Sequence, residues 1–275
     1  MIVPATRQAA PEVADHYDEL DPLYRRLWGE HVHHGYWATG KETPLQAVEA
    51  LSDLVGERLA LRPGMALVDI GCGYGATARR FASLHHAEVT GLTLSAEQAG
   101  HAPAQTGVTL LVRDWLENGL PADRFDAAYS IESSEHMVDK PAFFREAARV
   151  LKPGARLAVC AWLAAPDPAE WEVRHLLEPI CREGSLPSMG TAEDYERWAA
   201  DAGFRLIAQE DISRRVRHTW TICAARFAGS FLTDRETRRL ALAARNRRFA
   251  LSLPRLILAY RTRAMRYAIF AWEKI

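Results

Sequence analysis

Ala66-Leu67-Val68-Asp69-Ile70-Gly71-Cys72-Gly73-Tyr74-Gly75 is the stretch that decides the fold. An apolar run breaks into three glycines within five residues and residues 76–84 continue as a helix, so the unit reads strand, glycine turn, helix. Glycines at such a turn let a ligand approach the backbone closely at a helix amino terminus. Working outward, short apolar runs alternate with amphipathic segments, the pattern of parallel strands joined by crossover helices in an α/β fold. Further strands are predicted over residues 88–92, 109–112, 125–131, 156–162, 205–212 and 267–272. Thr43-Pro44-Leu45-Gln46 forms a capping box that opens one helix. Pro141 opens a second, which Lys152-Pro153-Gly154 stops, and Thr191-Ala192-Glu193-Asp194 starts a third.

Asp69 selects the ligand. With Ala76 in the last position, the glycines also satisfy a dinucleotide fingerprint, but a carboxylate two residues before Gly71 is misplaced beside a pyrophosphate. A cation suits it. The Asp69-x-Gly71-Cys72-Gly73-x-Gly75 pattern resembles the first motif of class I S-adenosylmethionine-dependent methyltransferases, where that acid lies by the amino-acid and sulfonium end of the cofactor. The resemblance implies a Rossmann-like seven-stranded sheet with its last strand antiparallel, amino-terminal helices and a helical lid.

Gly91-Leu92-Thr93-Leu94-Ser95-Ala96-Glu97-Gln98 lacks the ribose-binding acid usual after strand two of that class. It resembles instead the string of the γ-tocopherol methyltransferase-like, sugar and indole O-methyltransferase-like and cyclopropane fatty-acid synthase-like branches, in which a glutamine contacts the ribose. Gln98 has a second reading, since Ser95-x-x-Gln98 is also a capping box. After strand three, Asp114 would accept from the adenine amine while Trp115 packs the ring. The cofactor set implied by the resemblance is therefore Tyr17, Asp69, Gly71, Gly73, Gly75, Thr93, Leu94, Gln98, Asp114, Trp115 and Ser130, with S-adenosyl-L-methionine as cofactor.

The flanks carry the same likeness: His16-Tyr17-Asp18, residues 27–37 up to Tyr36-Trp37, Ile131-Glu132-Ser133-Ser134-Glu135-His136-Met137, and Leu186-Pro187-Ser188. Strand four ends at the carboxyl rim where open α/β sheets bind ligands, which brings Glu132 and His136 to the chemistry. His136, with a reference pKa of about 6.5, suits a general base. Glu132 would stabilise developing positive charge or accept a proton; the plainer reading makes Glu132 a turn anchor and His136 a helix cap. Tyr36 and Trp37, with Trp162 and Trp220, are the candidate substrate contacts, although amphipathic segments also use aromatics as core. His31, His33 and His34 have no committed carboxylate partner, so no metal is expected. Residues 163–275 supply Trp171, Leu176, Leu177, Ile180, Met189, Ile222, Phe227 and Phe231, predicted with Trp162 and Trp220 to wall an apolar acceptor pocket.

The 275 residues are 48% hydrophobic and 25% charged, and 34 basic against 35 acidic residues give no global field to draw the chain onto nucleic acid or an anionic membrane. A local excess exists: residues 214–274 hold 15 Arg and Lys, Arg247 and Arg248 among them, against three acids, either a solvated face or a site for a substrate anion or a membrane surface. Four scattered cysteines and the absence of a signal-like or membrane-length apolar run point to a reducing, cytoplasmic protein without stable membrane insertion, a monomer or homodimer. One domain is expected, with residues 1–62 as an N-terminal helical cover, 63–162 as the cofactor-binding core and 163–275 as lid helices and final strands. The expected function is S-adenosylmethionine-dependent methylation of a lipophilic small molecule, aromatic, indole or prenyl/terpenoid, at carbon, oxygen or nitrogen. The alternatives are a methyltransferase fold serving as a cyclase or binding protein, and an NAD-dependent oxidoreductase, disfavoured by Asp69 and by the lack of an acid about 20 residues beyond the glycines.

Overall fold

A computed structural model of the chain describes residues 1–4, 13, 18–19, 21–23, 25–26, 29–243 and 249–275, with side chains omitted at 243 and 249–251. Strands β1 (Ala66–Ile70), β2 (Glu88–Thr93), β3 (Val108–Val112), β4 (Phe125–Ile131), β5 (Leu151–Ala164), β6 (Phe204–Asp211) and β7 (Met265–Lys274) form one sheet in the order β3-β2-β1-β4-β5-β7-β6. β1 to β5 run parallel and β7 runs antiparallel between β5 and β6. This is the seven-stranded sheet that the sequence implied. One boundary differs: Lys152-Pro153-Gly154 lies inside β5, where the register with β4 jumps between Phe125↔Leu151 and Ala127↔Arg156 and Gly154 takes φ +75°. The helix does stop at Val150, but the chain enters the sheet at once through an irregular stretch instead of a loop.

The helices around the sheet are α1 (Pro44–Leu59), α2 (Ala76–His85), α3 (Ala96–His101), α4 (Lys140–Val150), α5 (Glu178–Glu183), α6 (Ala192–Asp201), α7 (His218–Thr233), α8 (Arg235–Ala243) and α9 (Phe249–Thr262). Their starts are set by side chains. Thr43 Oγ1 accepts from Gln46 N at 3.2 Å and Gln46 Oε1 from Thr43 N at 2.9 Å. Asp139 caps α4 and Thr191 with Asp194 caps α6 in the same way.

Strand alternation makes two cores. Leu67, Tyr129, Cys160, Tyr267 and Ile269 face the side covered by α1, α2 and the carboxyl-terminal helices; Val68, Ala128, Val159, Phe270 and Trp272 face α4 and α6. On that second face Tyr195, Phe270 and Trp272 stack with centroids 5.7 and 4.9 Å apart and planes within 8°. Among the described residues no helix is long and apolar enough to cross a membrane, and all four cysteines are free thiols.

Candidate active site

A cavity opens over the carboxyl ends of β1 to β4, where a parallel sheet presents its loops. The sequence-predicted Gly71, Gly73, Thr93, Leu94, Gln98 and Asp114 line it, and so do Trp115, Glu132 and His136. Asp69 faces a smaller pocket next to it, which shares Gly71, Gly73, Val32 and Ile131 with the first and adds His31, His33 and Cys72.

The glycine loop is left-handed at Gly71, Gly73 and Gly75, with φ of +81°, +55° and +69°. At Gly71 a Cβ would stand 2.2 Å from that of Ser133, so the requirement is both conformational and steric. Gly75 does not line the cavity; it shapes the turn as the residue before α2, against Leu110. Asp69 is 3% exposed, and burial raises its carboxyl to about 7, with Tyr129 beside it pulling the other way. A buried acid in that position, with only a phenol beside it to favour the anion, suits a cationic ligand.

At the other end of the cavity Gln98 both takes part in a cap and lines the wall. Ser95 Oγ accepts from Gln98 N at 3.0 Å, which is half of a capping box. The reciprocal half is missing, because Ser95 N donates to Thr93 Oγ1 and Gln98 Oε1 accepts from the Thr93 hydroxyl at 3.3 Å. The Gln98 amide is thus held on the cavity wall rather than turned back on the helix. Asp114 uses Oδ1 to accept from Leu116 N at 2.8 Å, leaving its second oxygen for a ligand. Trp115, 2% exposed, donates from Nε1 to Phe143 O and presents its remaining face to the cavity.

His136 sits at the end of the turn Ser134–His136. Its Nδ1 is 3.1 Å from Ser185 O; a carbonyl only accepts, so Nδ1 carries the proton and the lone pair belongs to Nε2. Burial lowers the ring to about 4, and the Lys140 charge pushes the same way against the Ser185 carbonyl and Glu132, so the ring is neutral at physiological pH. Glu132, at φ +56°, has a different occupation. Its carboxylate accepts from His34 N at 2.6 Å, Trp162 Nε1 at 2.8 Å and the Tyr267 hydroxyl at 2.8 Å. His34 Nδ1 stands 2.9 Å away without hydrogen-bond alignment. Burial pushes this acid up, but His34 and these donors outweigh it and hold it at about 2. Glu132 is a permanent anion that pins the segment 31–37 to β4, β5 and β7.

Several expectations need correction. Ser130 is fully buried behind Ser133, its Oγ 2.6 Å from that hydroxyl, and it is Ser133 that lines the cavity. Tyr36 packs on the core, and Trp37 belongs to a second cavity between α1 and α7, with Val48, Thr219 and Ile222. Trp162 and Trp220 stack edge-to-face around His34, at 5.4 and 5.1 Å, and line neither of these cavities. Leu176, Leu177, Ile180 and Met189 are core at 3% exposure or less and Trp171 is half exposed, while Ile222 lines the second cavity, so the predicted apolar set does not wall one common pocket. An apolar residue in a covering helix carries no sign of which side it faces until its partner is known. The three histidines diverge: His31 Nδ1 meets His33 Nε2 at 3.1 Å while His34 turns to Glu132. The carboxyl-terminal arginines are largely spent locally, Arg239 on Glu236, Arg238 on Phe231 O and Leu232 O, and Arg266 on Asp211. Tyr17, Arg247 and Arg248 lie outside the described residues. Arg113, Ser133, Met137 and Val138 line the cavity without having been predicted; each directly follows or precedes a motif residue, and that adjacency was the only signal.

The residues fit S-adenosylmethionine: a buried acid for its cationic end, a glycine turn too tight for side chains, and an acceptor and a flat indole for its base. The family model described as mycolic acid cyclopropane synthetase matches residues 5–239. The 27-O-demethylrifamycin SV methyltransferase of Amycolatopsis mediterranei (strain S699) is 35% identical over 232 residues, covering 82% of this chain and 85% of the relative. A probable chloroplastic tocopherol O-methyltransferase of Oryza sativa subsp. japonica is 33% identical over 229 residues, 76% of this chain and 63% of that protein. Among solved structures, the [4+2]-cyclase SpnF superimposes with a TM-score of 0.82 at 28% identity, covering 100% of this chain and 99% of that one.

Proposed function

From the premise that the chain belongs to the mycolic acid cyclopropane synthetase family and is an S-adenosylmethionine-dependent methyltransferase, we propose that its acceptor is a lipophilic small molecule deprotonated by His136. One observation carries the second half: His136 lines the cofactor cavity with Nδ1 committed to Ser185 O, which leaves Nε2 as the basic nitrogen. The relatives named for rifamycin and tocopherol support the substrate class. So does the apolar lining near His136, made by Val13, Val32, Ile131, Met137 and Val138.

The cofactor supplies, when bound, a methyl group on a sulfonium centre. Asp69 would offer it the negative charge, Thr93, Leu94 and Gln98 would hold its ribose edge, Asp114 would accept from the adenine amine, and Trp115 would cover the ring. Gly71, Gly73 and Gly75 keep side chains out of the way, and Ser133 replaces Ser130 in that set. Glu132 keeps the segment 31–37 shut over the site, so that water is excluded, and adds fixed negative potential. His136 Nε2 takes the acceptor proton as methyl is gained, and alignment of acceptor and cofactor provides much of the acceleration. The same reading places the protein in the cytoplasm, as a monomer or homodimer.

The test is incubation with methyl-labelled S-adenosylmethionine and a panel of hydrophobic phenols, indoles and prenyl compounds. Gain of one labelled methyl supports the reading, whereas transfer only to sugars or macromolecules overturns the substrate class. The likeness to the SpnF cyclase favours one second reading, a cyclisation without transfer. Its signature is an isomerised product of unchanged mass with the cofactor unconsumed.

A further inference from the structure

His136 does not hold its own geometry. Its turn, Ser134–His136, is three residues long and receives no side-chain cap at its start. Ser185 O, which fixes the ring, belongs to a separate loop that follows α5. Something must tie the two segments together.

We propose that Lys140 is the positioning residue of the transfer step: its ammonium locks the turn bearing His136 to the loop that fixes the ring's tautomer. Nζ donates to Glu135 O at 3.0 Å and Met137 O at 3.2 Å, the carbonyls on either side of His136, and to Ser188 Oγ at 2.9 Å, three residues from Ser185. Three acceptors match the three protons of an ammonium, one more than a neutral amine could serve. Lys140 is 3% exposed at the first turn of α4, a position where nothing in the sequence forbids an exposed lysine. A buried ammonium without compensation is costly, which sets this residue apart from an ordinary surface lysine. Burial draws it down to about 8, with Glu135 and Cys181 pulling it back up.

The arrangement also carries charge to the ring. Among the described residues the ionisable groups that act on His136 include Lys140 from α4 and Glu132 from the end of β4, while Glu135 acts on Lys140 and Arg113 and Asp114 stand on the wall of the same cavity. Lys140 thus favours the unprotonated ring, the form a base requires.

The inference rests on His136 as base only for its catalytic meaning, so its test reads the ring itself. In 15N-histidine-labelled protein saturated with S-adenosylhomocysteine, NMR of the wild type should show His136 as a single Nδ1–H tautomer. In Lys140→Met the ring should become a tautomer mixture and titrate at a higher pH, since the neighbouring positive charge is gone. Retention of both the wild-type tautomer and its titration in folded Lys140→Met overturns the proposal. Should that variant fail to fold, Ser188→Ala decides, because it cuts only the tie to the loop: tautomer mixing supports the proposal and an unchanged ring refutes it. Failure of the base reading is separate, and would show as normal turnover in His136→Ala whatever Lys140 does to the ring.

Discussion

Asp69 makes cofactor affinity depend on pH. Its carboxyl is raised to about 7 in the empty pocket because burial disfavours the anion, whereas the cationic end of S-adenosylmethionine needs that anion. Binding must therefore depress the pKa and release a proton when it starts from the protonated form. With a free-state value of about 7, some 3% of the sites are ionised at pH 5.5 and about three-quarters at pH 7.5, so affinity should rise roughly 20-fold across that range. Calorimetric titration should stop at pH 7.5, because the ligand's own α-ammonium begins to titrate near 7.7. Asp69→Asn should bind more weakly at pH 7.5 and lose most of the slope. S-adenosylhomocysteine, which lacks the sulfonium charge, should show a shallower one. A flat profile in the wild type, or an equal slope in Asp69→Asn, would refute the placement of the cation beside this acid.

Three further outcomes follow from the same site. His136→Ala should lower kcat on the order of 10²-fold with S-adenosylhomocysteine affinity retained; because the ring is held at about 4, wild-type kcat/KM for the acceptor, with S-adenosylmethionine kept saturating at every pH, should stay level well below pH 6.5, and an acid limb at 6.5 under those conditions would contradict the burial argument. Glu132 is depressed to about 2 from 4.5, so its contribution is present above pH 4.5 and lost as pH falls towards 2; Glu132→Gln should cost about 3 kcal/mol in urea unfolding at pH 7 and flatten the stability profile between pH 5 and 3. Gly71→Ala must move Ser133, whose hydroxyl bonds Ile70 O and Ser130, and should cost at least 1–2 kcal/mol together with most cofactor affinity; wild-type binding by this variant would show that the loop yields.

The sheet was legible because buried parallel strands are continuous apolar runs ending at glycine, threonine or acid, and much of the cavity lining was legible because it occupies those ends. Pattern misled where a local stop signal met a tertiary demand: Lys152-Pro153-Gly154 looks like a helix terminator, yet the edge of β4 recruits it into β5. The occupation of Glu132 was not legible at all. Its partners His34, Trp162 and Tyr267 are spread over more than 230 residues of sequence and meet only when the first segment crosses the finished sheet. The apolar residues of the carboxyl-terminal helices misled for the opposite reason, since hydrophobicity states that a residue is covered and not by what. Lys140 gave no sign either, because its three acceptors are two backbone carbonyls and a serine hydroxyl, none of which leaves a motif.

The placement of β7 bears on how the protein is made. The two strands beside it, β5 and β6, bond to it and not to each other, so residues 265–274 lie between two strands that both precede them in the sequence. Until the ribosome has released them, β5 carries a bare edge of nine ladder positions and β6 has no partner in the sheet. The nascent chain must hold these edges in a state prone to edge-to-edge pairing until β7 arrives, so this half of the sheet closes late instead of element by element. A polypeptide that ends before Met265 leaves both edges open for chaperones and proteases to find, and only a chain that includes β7 closes the sheet.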